Sequence, residues 1–245
     1  GVHAVQHEVE HELKHGDQHG GHGGLLDNIN KKIALLIGVL ALLLVLRSLL
    51  QARPVGLAVD GAGALRFGLN ASVVATAVAL LAFAASLALV PGDLPPKAYY
   101  EILFWGGGHA LQFTWTLLML VAWLWLAGAS GARVALSPRV TLLMFMLALA
   151  SVFVTPYAYL AHDIASVEHR DALTWAMRLG GGVAIVPIAL AVIAALVNAP
   201  AATLQTRPLR SALVASVLLF GAGGVIGIFI SGSNVRIPAH YHGCI

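Results

Sequence analysis

The chain has 245 residues, of which 59% are hydrophobic and only 10% charged, and its formal net charge is +3. Soluble domains carry about 25% charged residues. With a mean hydropathy of +0.85, this composition excludes an ordinary soluble domain and describes an integral membrane protein.

In chain order, the first element is a histidine-rich extramembrane tail over residues 1–30. His3, His7, His11, His15 and His19 recur every four residues, which aligns them on one stripe if residues 2–15 are helical. Histidines at that spacing can share a metal ion. The glycine-rich end at 16–24 nevertheless reads as a linker, and the tail is assigned no catalytic role. Residues 31–245 form the transmembrane domain.

A helix needs about 20 apolar residues to cross a bilayer. Such stretches run over Ile33–Leu50, Ala71–Val90, Tyr100–Leu126, Val140–Leu160, Ala176–Val197 and Ala212–Ile230, and a seventh begins near Ile237. The expected fold is therefore all-α, a polytopic membrane helix bundle with about six complete transmembrane helices plus the start of a seventh. A first residue other than methionine and an end inside an apolar segment read as a piece of a longer polypeptide or a processed subunit.

Alternate numbering of the loops puts Arg47, Arg53, Arg66, Arg133, Arg139, Arg207 and Arg210 on one side, with Asp60 its only acid. Every other acid falls on the opposite side. Positive charge favours the cytoplasmic face, so the arginine side is expected inside and the N-terminus outside, although Lys14, Lys31 and Lys32 count against that orientation. A bacterial-type inner membrane is the expected location.

Ionisable groups at membrane depth are costly, so function is the default reading for them. His109, His162, His240 and His242 all fall toward the outer side of this topology. His240 and His242 are two residues apart, about 200° around a helix, so they cannot grip one ion and would serve two cofactors. Lone Cys244 excludes an internal disulfide and a cysteine-cluster metal site, leaving metal chemistry to histidine and carboxylate.

The run Trp105-Gly106-Gly107-Gly108-His109 suits close approach of a flat macrocycle or another backbone, with tight helix packing as the alternative. His162 follows the aromatic segment Pro156-Tyr157-Ala158-Tyr159 and is expected to point inward. His169, among Glu168, Arg170 and Asp171, is expected in a solvated loop. Glu101 is the carboxylate of the third span, either a proton relay or an interfacial acid.

The segment Phe104-Trp105-Gly106-Gly107-Gly108-His109 resembles the Phe-Trp-x-x-Gly-His of the haem-copper oxidase superfamily's catalytic subunit, and Ala239-His240-Tyr241-His242 resembles its His-x-His. The resemblance implies a chain running from the fourth helix to the start of the tenth. It implies His240 as axial ligand of a high-spin haem, His242 as ligand of a low-spin haem, both b-type, and His109 and His162 as ligands of a facing copper or second iron. Where the family has a second adjacent histidine this chain has Asp163, a harder ligand that favours iron over copper, the alternative being that the metal is absent. Phe113 stands where many oxygen reductases have a redox tyrosine; Tyr157 or Tyr159 could take that role, or belong to an interfacial aromatic belt.

The resemblance further implies a respiratory oxidoreductase that reduces oxygen with electrons from a cytochrome c or quinol, beside other respiratory-complex membrane subunits in the lipid bilayer. No nucleic-acid partner is expected. Nitric oxide reduction, a non-catalytic oxidase-derived subunit and, more distantly, a transporter are the alternatives.

Overall fold

The computed structural model describes residues 59–229 and scattered positions between residues 33 and 51. The chain divides into two units, Gly1–Ser48 and Leu49–Ile245. In the first, the described positions, from Ile33 to Arg47, are helical and exposed. In the second, every regular element among the described residues is helical.

Helix α1 spans Gly61–Leu89 and begins where the Asp60 carboxylate accepts the amide of Gly63 at 2.6 Å. That cap starts the helix well before the apolar run at Ala71. Arg66, expected in a loop, therefore lies in the second turn of α1 with its side chain exposed. Helix α2, Pro96–Ala129, starts on a proline whose missing N–H costs nothing in a first turn.

Helix α3, Pro138–Val152, is capped by Ser137, and a break at Phe153 separates it from α4, Val154–Ala161. Helix α5, Val167–Trp175, is capped by Ser166 and runs through a π-helical turn, Ala176–Gly181, into α6, Gly182–Val197. Helix α7 covers Arg207–Ile228. Taken with their continuations, five helical stretches among the described residues are long and apolar enough to cross a membrane: Gly61–Leu89, Pro96–Ala129, Pro138–Ala161, Val167–Val197 and Arg207–Gly227. The first expected span is described only in part, and the seventh lies outside the described residues.

Between lipid-solvated helices apolar burial supplies little drive, so association depends on close packing and interhelical hydrogen bonds. The longest interface, α1 against α2, follows that rule. Small buried residues of α1, Ala71 and Ala75, share one packed core with Phe113, Leu117 and Leu120 of α2. A methyl group on Gly68 would stand 2.6 Å from Val121 and 2.9 Å from the Phe145 ring. The buried hydroxyls are satisfied, Thr76 by the Ser72 carbonyl at 2.8 Å and by Thr114 across the interface at 3.2 Å.

Helix α7 is fastened at several points. The Trp123 indole donates to Ser216 at 2.8 Å, and its ring meets Phe220 edge-on at 5.5 Å. The Arg210 guanidinium donates to the Pro200 carbonyl at 2.6 Å and the Ser130 carbonyl at 2.7 Å, tying two connections together at one end of the bundle.

Candidate functional site

One face of α2 carries two ionisable groups, Glu101 in its second turn and His109 further along. Glu101, Phe104, Trp105, Gly108, His109 and Gln112 line a groove of about 290 Å³. His109 Nδ1 lies 2.7 Å from the Trp105 carbonyl, and the two rings are 4.6 Å apart. A carbonyl only accepts, so a neutral His109 holds its proton on Nδ1 and keeps the Nε2 lone pair for a metal or a proton. Metal-binding histidines are commonly oriented in this way. Glu101 is exposed, about 12 Å along the helix from His109 by axial rise.

The three glycines of this helix have separate jobs. A side chain at Gly106 would strike Tyr159, and one at Gly107 would strike Phe83, so at these two positions aromatic rings occupy the space and helix packing accounts for the glycine. Gly108 has nothing within 4 Å of where a methyl group would be and lines the open groove.

A second cluster forms at the same end of the bundle. The Tyr159 hydroxyl pairs with Ser86 of α1 at 2.6 Å, and its ring stands edge-on to His169 at 4.7 Å. His169 is 1% exposed, which corrects the expectation of a solvated loop. Ser166 starts α5 early enough to make His169 helical. Its stripe partner Leu173 is also buried, while Glu168, Arg170 and Asp171 turn outward. His169 Nδ1 lies 3.3 Å from the Ala158 carbonyl, and Nε2 is buried without a partner. The Trp105 indole nitrogen is likewise buried and unpaired, with the Arg170 guanidinium 4.9 Å from the centre of its ring. No feature of the sequence marked His169 except its four-residue spacing to Leu173.

The remaining expected site residues are less convergent. His162 ends α4, half-buried, with the Tyr157 ring 6.1 Å away. Tyr157 is 60% exposed, so of the two tyrosines Tyr159 is the inward one. Asp163 is exposed, and its carboxylate accepts the Ala165 amide at 2.8 Å to close the turn into α5. Among the described residues no three histidine, cysteine, aspartate or glutamate side chains form a group that could hold a metal, so His109, His162 and Asp163 are not assembled into one donor set. His240 and His242 lie outside the described residues, as does the tail with His3 to His19.

No protein-family description matches the chain, and no solved structure matches it. It is similar to an uncharacterized protein of Rickettsia prowazekii (strain Madrid E), 29% identical over 175 residues that cover 60% of this chain and 34% of that protein. It is also similar to an uncharacterized protein of Aquifex aeolicus (strain VF5), 32% identical over 146 residues that cover 59% of this chain and 34% of that protein. The chain thus spans about a third of the length of the curated relatives it matches.

Proposed function

We propose that this chain is part of a respiratory oxidoreductase of the haem-copper oxidase type in a bacterial-type inner membrane. In this reading the bundle has six complete spans and the start of a seventh, with the arginine-rich end inside. His240 and His242 ligate two haems, His109 faces the second metal, and the whole protein reduces oxygen with electrons from a cytochrome c or quinol. The observation that carries it is His109, an imidazole on a membrane-spanning helix with Nδ1 held by the Trp105 carbonyl, lining a groove with Glu101.

The outer metal does not fit the described residues as a complete site. Of the expected ligands only His109 is an imidazole oriented by a backbone carbonyl, while the Asp163 carboxylate is taken by the Ala165 amide and Phe113 is buried in the helix core. These observations favour a second reading, an oxidase-derived membrane subunit that keeps the haem ligands or the packing without the reaction.

A reduced-minus-oxidised visible spectrum of the purified full-length protein, with carbon monoxide added and iron and copper determined, tests both. The catalytic reading expects a carbon monoxide-binding haem and oxygen consumption, both lost in His240→Ala. Haem without oxygen turnover selects the second reading, and absence of haem rejects the catalytic reading and every form of the second except one that keeps the packing alone.

A further inference from the structure

One end of the bundle, made by the start of α1, the end of α2, the 130–137 connection and the start of α3, is dominated by positive charge. Arg66, Arg133 and Arg139 are exposed, and among the described residues none of them has a carboxylate partner. Asp60, the acid at this end, is engaged in capping α1. Between the same elements lies a cleft of about 180 Å³ lined by Ala64, Leu65, Leu124, Val134, Leu136 and Thr141. The Thr141 hydroxyl turns to the Ser137 carbonyl at 3.2 Å, and the cleft walls are mostly, not wholly, apolar.

The charges lie on the same elements as the cleft, next to its lining residues in sequence. Arg133 precedes Val134 in the lining, and Arg139 lies between the lining residues Pro138 and Thr141. Arg139 is also in the first turn of α3, where the amide dipoles disfavour a cation unless an anion is shared between them. Arg66, in the second turn of α1, is near the start of a helix long and apolar enough to cross a membrane. A ligand matching this surface needs a negative head and an apolar tail.

We propose that the cleft seats one anionic phospholipid, its phosphate against Arg133 and Arg139 and an acyl chain along Leu65, Leu124 and Leu136. A soluble anion would use the arginines and leave the cleft unfilled. Cationic sites between helices are a general means of holding such headgroups. This assignment is independent of the redox reading.

Native mass spectrometry of the full-length protein with added phosphatidylglycerol or phosphatidylcholine is the test. One phosphatidylglycerol per chain is expected to persist where phosphatidylcholine is lost. The preference should fall on the order of tenfold in the combined Arg133→Gln, Arg139→Gln variant and stay unchanged in Lys97→Gln at the opposite end. Leu136→Trp, which fills the cleft, should release the lipid with the arginines intact. Equal retention of the two lipids, or an unchanged preference in the double variant or in Leu136→Trp, overturns the proposal. If the variants do not fold, the wild type decides, because a preference that does not weaken when salt is raised from about 0.05 M to about 0.5 M also overturns it.

Discussion

Gly106 and Gly108 are equivalent in the sequence and opposite in the structure. Gly106→Ala meets the Tyr159 ring and should cost about 1–3 kcal/mol through overpacking. Gly108→Ala faces open space and should gain about 0.5–1 kcal/mol from better helix propensity. Thermal unfolding of the two variants measures the difference, and equal effects would contradict the packing assigned here. Sequence marked this stretch as special but could not say which glycine carried a contact, because the partners, Phe83 and Tyr159, come from other helices. His169 departs from the sequence expectation for a related reason. Its neighbours Glu168, Arg170 and Asp171 are charged, yet a helix sends adjacent residues in different directions and sends His169 inward with Leu173.

The helices themselves were legible as apolar runs, since length and hydropathy are direct readouts of bilayer thickness. Their ends and interruptions were not. Asp60 and Ser166 begin α1 and α5 earlier than hydropathy indicates, because a cap is a local hydrogen bond and polar first turns still form helix. The break at Phe153 and the π-helical turn at Ala176–Gly181 leave no hydropathy signal. That turn lies against α3, where a side chain at Gly180 would strike Ser151. Arg210 sets the position of the connection before α7 through two charge-assisted hydrogen bonds. Arg210→Ala should cost about 1.5–3 kcal/mol and expose residues 198–206 to faster proteolysis, whereas Arg207→Ala, at an exposed site without such bonds, should leave the cleavage rate unchanged.

Across the whole molecule, the alternation of helices places the 90–95 and 162–166 connections at one end and the 130–137 and 198–206 connections at the other. With the arginine-rich end inside, Asp93→Cys in a Cys244→Ser background should react with an impermeant thiol reagent in intact cells, and Arg133→Cys only after the membrane is opened. The reverse pattern would invert the orientation. At the end that holds the histidines, one residue joins four helices. Tyr159 of α4 bonds Ser86 of α1, lies over Gly106 of α2 and meets His169 of α5. Ser86, Gly106 and His169 are distant in sequence, yet each acts on stability through the same ring. Their substitutions should therefore not add: once Tyr159 has been displaced by a change at one of the three, a second change removes a contact already lost. In a double-mutant cycle such positions couple by about 0.5–3 kcal/mol, which makes this group of residues a single unit of variation rather than three independent ones.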